Sequence, residues 1–317
     1  MAQGHGSSSG DIRVLVERLL ELVRSSHPLP CDCLRAVEAQ RVRNYELESG
    51  LLAIPLLGKS RITDGLRTIE VEPGQILIVP NARSIDWEQF PDREIGEYVA
   101  IGIHLQQSLL ESAQKLLPET VAADPGQISA EPLALLIDPF LRWTEVMQEG
   151  RRSLALHAIV EVIVRLHEIG HLGLLRIPRP SLASQIRKLV AGDPSRDWHS
   201  EEFEERLGIS GPTLRRKLAA EGTSFRSVLL DARVGQALHL LLTSRLPVKT
   251  IAAKVGYDSV TTFSKRFTER YGLGPAQVGR RWAIDGMSVW RGLLNGHEHA
   301  EFLRSSQTVF GCCCSSS

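Results

Sequence analysis

The clearest alternation of apolar and polar positions lies in the last third of the chain, over residues 210–225. Leu214 and Leu218 are four residues apart and share one side of a helix, while the basic run 215–217 faces the other side. The turn sequence Gly-Ile-Ser at 208–210 and a shorter helical segment come before it. A short helix, a glycine-containing turn and a basic helix predict a helix-turn-helix unit, whose second helix enters the DNA major groove.

The same order of elements recurs about fifty residues later. Residues 251–255 predict a short helix, 256–259 a turn and 260–271 a second basic helix. Between the two units, helical periodicity runs over about 224–243, and twenty residues at ~1.5 Å each span ~30 Å. Because one turn of B-DNA advances ~34 Å, a spacer of this length can hold the two basic helices in successive major grooves.

The first half of the chain has a different pattern. Residues 1–10 are rich in Gly and Ser and predict disorder, whereas 11–25 has the periodicity of an amphipathic helix. Short apolar runs separated by turn residues fill 31–106, which predicts a small antiparallel barrel or sandwich. Its run 72–80, Glu-Pro-Gly-Gln-Ile-Leu-Ile-Val-Pro, resembles the turn and strand of cupin-like barrels. Helices are predicted over 106–117, 133–149 and 151–171, with a polar loop over 119–131.

These patterns predict an α+β protein with an N-terminal cupin-like β-barrel carrying helices and a C-terminal all-α domain. In the C-terminal domain, two helix-turn-helix units are joined by a long helix. The predicted segments are 1–30 (a disordered start and an amphipathic helix), 31–175 (a sensor and dimerisation domain), 176–181 (a proline-containing linker), 182–281 (the DNA-binding domain) and 282–317 (a tail). The helix over 151–171 is apolar all round, so it belongs either to the core or to the seam of a homodimer.

Charge is segregated along the chain, although the formal net charge is zero. Residues 182–282 hold 17 Lys and Arg against 10 Asp and Glu, and the remainder holds 20 against 27. A basic domain joined to an acidic one favours a nucleic-acid partner at one end only. No apolar run reaches the ~18 residues of a membrane span, and the N-terminus lacks a secretory signal. We therefore expect a cytoplasmic protein without a membrane partner.

Candidate catalytic and metal-binding groups are sparse. A metal-binding barrel needs clustered His and Glu ligands, but His104 stands alone in its apolar strand. Cys31 and Cys33, and the tail cysteines 312–314, have no zinc-site spacing and predict free thiols. We therefore expect no catalytic residue, no metal and no cofactor. A cupin-type enzyme with an accessory helical domain and a protein-interaction adaptor remain as alternative functions.

The C-terminal segment 182–281 closely resembles the AraC/XylS family of bacterial transcription factors. The second unit carries the family's pattern in Ile251, Ala252, Val255, Gly256, Tyr257, Ser259, Phe263, Phe267, Tyr271, Gly272, Gly274 and Pro275. The first unit matches in Leu207, Gly208, Ile209, Ser210, Leu214, Arg216, Leu218 and 222–225. Two positions depart from the pattern, since Glu204 replaces the usual Ala and Ser200 replaces an apolar residue. These departures predict a more loosely packed first unit.

The resemblance implies a sequence-specific regulator of promoter DNA, with activation through contact with RNA polymerase as the expected mode of action. A second hypothesis concerns the N-terminal half, which we expect to bind a small effector or a regulatory protein at an unknown site and to form a homodimer through 151–171. By position, base reading falls on Pro212, Thr213, Arg215 and Arg216 in the first unit and on Val260, Thr261, Ser264 and Lys265 in the second. Lys217 and Arg266 suit phosphate contacts.

Overall fold

The described part of the first half contains nine strands. The computed structural model describes residues 5–24, 31–65, 67–117, 126–176, 181–244 and 246–278. The strands are β1 (Asp32–Ala36), β2 (Gln40–Leu47), β3 (Gly50–Leu57), β4 (Lys59–Thr63), β5 (Thr68–Val71), β6 (Gln75–Val79), β7 (Arg83–Phe90), β8 (Tyr98–Leu105) and β9 (Ser129–Pro132). The predicted linker residues 177–180 and the tail 282–317 lie outside these ranges.

The strands build two antiparallel sheets. One sheet has the order β1-β8-β3-β6-β9 and the other has the order β2-β7-β4-β5. The prediction of a cupin-like antiparallel fold is confirmed, but the prediction of a closed barrel is wrong, because each sheet keeps two open edges. Closure depends on pairing between edge strands, and an alternating pattern within one strand carries no information about that pairing.

Strand β3 shows how the two cores are divided. Its side chains are buried along nearly the whole strand. Leu52 and Ile54 face the helices of the N-terminal half, whereas Leu51 and Ala53 face the second sheet. A strand covered on both faces has a continuous apolar run instead of an alternating one. The Tyr98 hydroxyl lies in the layer between the sheets, 2.6 Å from Ser60 Oγ.

Helices surround this pair of sheets and form the C-terminal half. In the described residues they are α1 (His5–Arg24), α2 (Gln107–Gln114), α3 (Ile137–Gln148), α4 (Arg152–Glu168), α5 (Leu182–Gly192), α6 (Ser200–Leu207), α7 (Gly211–Ala220), α8 (Phe225–Thr243), α9 (Val248–Lys254), α10 (Val260–Tyr271) and α11 (Pro275–Val278). Single 3-10 turns cover Leu133–Leu136 and Leu172–Leu175. None of the described helices combines the length and apolar content that crossing a membrane requires.

Several sequence-based boundaries need correction. Helix α1 begins at His5 instead of near Asp11, because extending an existing helix adds a hydrogen bond for each residue fixed. The predicted helix over 133–149 starts with a 3-10 turn, and the predicted loop over 119–131 contains the start of β9. Strand β9 pairs with β6, and its Glu131 Oε1 lies 3.0 Å from His171 Nε2. A four-residue polar strand has no periodicity of its own by which to recognise it.

Helix α4 packs mainly into the core of the N-terminal half. It contacts α2 and α3, and its residues Ile159, Val162 and Ile163 are fully buried. Leu154 and Leu156 remain exposed at its start. The core therefore accounts for most apolar positions of α4, and dimerisation through this helix stays a proposal.

The N-terminal sheets contact both parts of the helical half. Glu46 Oε1 of β2 lies 2.9 Å from Arg270 Nη2 at the end of α10. Glu48 follows β2, pairs with Arg187 of α5 and accepts a 2.6 Å hydrogen bond from Ser184. One short stretch of chain thus holds the helices at both ends of the C-terminal half.

Candidate nucleic-acid interface

The predicted helix-turn-helix units are formed by α6 with α7 and by α9 with α10. Gly208 and Gly256 lie in the turns, with φ angles of 62° and 80° that a residue with a side chain rarely adopts. Ser210 and Ser259 are the residues at which the second helix of each unit begins. Helix α6 begins at Ser200, and His199 is its N-cap.

Each unit has its own apolar core. In the first unit, Leu214 and Leu218 are buried beside Phe203, whose ring lies 5.2 Å from the ring of Phe225. In the second unit the corresponding positions are Phe263 and Phe267, both fully buried. These contacts fix which face of α7 and α10 points inward and therefore which face remains free for DNA.

Helix α8 belongs to both cores. Val228 and Ala232 pack in the first core, and Ala237, Leu238 and Leu241 pack in the second. The helix has 19 residues, so it is ~28 Å long. The prediction of two units joined by one long helix is confirmed.

The outer face of α7 presents most of the predicted contact residues of the first unit. Pro212, Arg215, Arg216 and Lys217 are exposed. Thr213 is half-buried, and its hydroxyl lies 3.0 Å from Ser210 Oγ. Four of the five predicted residues are therefore on the solvent face, and Thr213 lies at its margin.

The outer face of α10 is arranged in the same way. Val260, Thr261, Lys265 and Arg266 are exposed, and Ser264 is half-buried. Arg266 Nη1 lies 3.3 Å from Glu269 Oε2. An ion pair this exposed contributes little to stability, so Arg266 can exchange its carboxylate partner for a phosphate at small cost.

The buried positions set a residue-by-residue correspondence between the two helices. Aligning Leu214 with Phe263 and Leu218 with Phe267 makes three pairs of exposed positions coincide and matches the exposed Arg215 with the half-buried Ser264. The matched pairs are Pro212 with Thr261, Arg215 with Ser264, Arg216 with Lys265 and Lys217 with Arg266. The two helices thus offer equivalent positions with different side chains, which suits two half-sites of different base sequence.

The chemistry of these side chains matches groove contacts. An arginine can donate two hydrogen bonds to O6 and N7 of guanine, and threonine can bond a base edge or touch a thymine methyl. Lys217 and Arg266 supply positive charge for the phosphate backbone. Within the described residues, no three His, Cys, Asp or Glu side chains are grouped so as to hold a metal ion.

Glu204 of α6 occupies a position that sequence analysis associated with looser packing. Its carboxylate lies beside the backbone of Gly211, where an added Cβ would be 2.8 Å from Glu204 Oε1. Ala252 is the equivalent residue of the second unit and is buried. Glu204 fits because residue 211 has no side chain, and Phe203 beside it is still fully buried, so the predicted looseness is not observed.

Residues of the N-terminal half also touch this domain, and none of them was predicted to do so. Asn44 Nδ2 donates to the backbone oxygen of Arg270 at 3.3 Å, and Glu46 pairs with the side chain of the same arginine. Gly272 lies against the side chain of Arg43. No local motif marks a contact between residues more than 200 positions apart, so the sequence offered no signal for it.

Replacing Ser259 with alanine is expected to destabilise the chain by about 1 kcal/mol, because its hydroxyl accepts a hydrogen bond from Thr262 N at the start of α10. Ser210→Ala is the matched control, since the Ser210 hydroxyl accepts no backbone hydrogen bond from α7. Urea unfolding of both variants measures the difference. Equal losses would show that the cap of α10 contributes nothing specific.

Comparison with known proteins agrees with this arrangement. Residues 204–281 match the family model of a helix-turn-helix domain. The urease operon transcriptional activator of Escherichia coli is 24% identical over 256 residues, covering 76% of this chain and 86% of that protein. The virulence regulon transcriptional activator VirF of Shigella flexneri is 24% identical over 225 residues, covering 68% of this chain and 85% of that protein.

A similar fold is also found among solved structures. Unsaturated fatty acid-bound ToxT from Vibrio cholerae superposes with a TM-score of 0.56 at 14% sequence identity. The superposition covers 80% of this chain and 95% of that one. The two proteins therefore share the fold of both halves.

Proposed function

We propose that this chain, a DNA-binding transcriptional regulator of the AraC/XylS family, activates transcription by contacting RNA polymerase at its target promoters. The observation that carries the proposal is the pair of exposed basic helices held on one long helix, with Arg215, Arg216 and Lys265 on their outer faces. Both curated relatives compared above are transcriptional activators, which supports activation over repression.

The base-reading role is proposed for the residues that face solvent on the two basic helices. These residues are Pro212, Thr213, Arg215, Arg216, Val260, Thr261, Ser264 and Lys265. Lys217 and Arg266 hold phosphates in this proposal. The half-burial of Thr213 and Ser264 places them at the edge of the surface, so we expect their contributions to be smaller than those of the exposed residues.

Control by the N-terminal half is the second part of the proposal. The contacts of Glu46 and Glu48 with the helical half connect the sheets to both units, so a ligand or protein that moves the sheets also moves the reading helices. ToxT, which shares the fold, was crystallised with an unsaturated fatty acid. A small cleft lies between the two sheets and α8, where Leu34, Tyr45 and Leu242 are among the lining residues. Its volume is about 10 Å³, which is roughly enough for one water molecule. A small effector would have to widen it.

The experiment that tests DNA recognition is selection of duplexes from a random pool by the full-length chain, followed by salt-dependent titration of the enriched duplex and a scrambled one. We expect enrichment of a two-part site bound about 10³-fold or more tighter than the scrambled duplex. Affinity should fall steeply with salt, because bound phosphates release counterions. Failure of folded protein to enrich any sequence would favour the adaptor alternative.

Activation is tested separately by transcription in vitro. The enriched site is placed upstream of a weak promoter, and transcripts are measured with purified bacterial RNA polymerase with and without the protein. An increase in transcripts is expected. Specific binding with unchanged or reduced transcripts would overturn activation while leaving DNA recognition intact.

A further inference from the structure

Two thiols lie side by side at the edge of the five-stranded sheet. Cys33 is in β1, which is an edge strand, and Cys31 is in the bend just before it. Both side chains are half-buried against the core formed by the sheet and the N-terminal helices, whereas Leu34 and Ala36 pack in the opposite core. Because side chains alternate along a strand, residues two apart face the same side. The two sulfurs are therefore neighbours.

The surroundings of the two thiols differ in charge. Arg35 is on the same face as Cys33, and its Nη2 donates to the backbone oxygen of Val23 at 3.2 Å, which fixes the guanidinium near the thiols. The hydrogen bond from Cys31 lowers the pKa of Cys33, and the charge of Arg35 lowers it further. The hydrogen bond with Cys33, together with burial, raises the pKa of Cys31. Cys33 is therefore the better nucleophile of the two, and Cys31 stays protonated.

We propose that Cys31 and Cys33 form a reversible oxidation site, at which Cys33 reacts with hydrogen peroxide and Cys31 then closes a disulfide. In the first step the Cys33 thiolate attacks one peroxide oxygen, the O–O bond breaks, and a sulfenic acid and hydroxide result. In the second step the Cys31 sulfur loses its proton and attacks the Cys33 sulfur, and the S–O bond breaks. Two electrons pass from the thiols to the peroxide, which leaves as two water molecules.

The position of Cys31 outside the strand allows the disulfide to close. Along a strand, two residues advance the backbone by ~6.4–6.8 Å, at the upper end of the ~4.4–6.8 Å that a disulfide spans between Cα atoms. Closure therefore requires the bend at Cys31 to tighten. A disulfide formed under such constraint is readily reduced, which makes the modification reversible.

The residue between the two cysteines connects this site to the DNA-binding half. Asp32 pairs with Gly102 in the sheet, and its Oδ2 lies 3.0 Å from His104 Nε2. Burial alone would raise the pKa of Asp32, but His104, with a contribution from His239 of α8, holds it below its usual value.

The test uses the full-length chain with Cys312, Cys313 and Cys314 replaced by serine, which leaves two thiols. Stoichiometric hydrogen peroxide should lower the thiol titre from two to zero and reduce the intact mass by two hydrogens, and dithiothreitol should restore both. In Cys31→Ser, a sulfenic acid at Cys33 should be trapped by dimedone. In Cys33→Ser, the trapped adduct should be at least about tenfold less abundant, because burial and the negative charge of Asp32 still raise the pKa of Cys31 and disfavour its thiolate.

A second measurement keeps the proposal falsifiable if either serine variant misfolds. Limiting iodoacetamide is added to the protein that retains both thiols, and singly alkylated peptides are counted by mass spectrometry. Alkylation at Cys33 should exceed alkylation at Cys31 by about tenfold or more. Equal alkylation, a covalent dimer in place of the internal disulfide, or thiols that resist peroxide in the folded chain would each overturn the proposal.

Discussion

Replacing Arg215 and Lys265 together with alanine is expected to weaken specific DNA binding by about 10²- to 10⁴-fold. Both side chains are exposed at central positions of the two basic helices, and a bidentate contact with guanine contributes ~1–3 kcal/mol of discrimination. The loss should be much larger on the selected duplex than on a scrambled one, because base contacts carry the sequence information. Titrations of the full-length variant on both duplexes give the two values.

The matched control is Arg93→Ala with Lys115→Ala, which removes the same charge from two exposed positions of the N-terminal half. This variant should keep nearly all of its specific affinity. An equal loss in both double variants would mean that only net charge matters. Unchanged specific affinity in the folded Arg215→Ala, Lys265→Ala variant would show that Arg215 and Lys265 do not read bases.

Replacing Phe267 with alanine is expected to destabilise the chain by about 3–5 kcal/mol. Its ring is fully buried on the inner face of α10 and lies 4.9 Å from the ring of Tyr271 and 5.7 Å from that of Phe263. Truncating a buried aromatic side chain loses its transfer free energy and leaves a cavity between rings that collapse only in part. Urea unfolding of the full-length protein measures the loss.

Phe267→Leu serves as the control, because it keeps most of the buried volume and should cost clearly less than the alanine change. The alanine variant should also bind the half-site of the second unit more weakly, since its reading helix is no longer held in place. A loss below about 1 kcal/mol would show that this core is loosely packed and can refill the space.

Much of the helical half was predictable because its spacing is local. Leu214 and Leu218 identify the inner face of α7, and the repeat of the same spacing in Phe263 and Phe267 identifies α10. Both faces are decided within four residues, so a single sequence carries enough information. The exposed basic residues follow from the same spacing, which is why the predicted contact residues mostly face solvent.

The N-terminal half was less predictable because its organisation is set by distant partners. The continuous apolar run of β3 signals burial on two faces, but nothing within it shows which strands pair with it. Strand β9 is polar and becomes a strand only by pairing with β6. The fit of Glu204 against Gly211 also depends on contact between two helices. The sequence shows that Glu204 departs from the family pattern, but it does not show that Gly211 leaves room for the larger side chain.

The contacts made by Glu46 and Glu48 have a consequence for the spacing of target sites. Glu46 holds Arg270 at the end of α10 and Glu48 holds Arg187 of α5, so one stretch of chain fixes the rotation of one unit about the duplex axis relative to the other. Inserting one base pair between half-sites turns the second one by ~35°. We therefore expect DNA binding to depend on the spacing between the half-sites as well as on their base sequence.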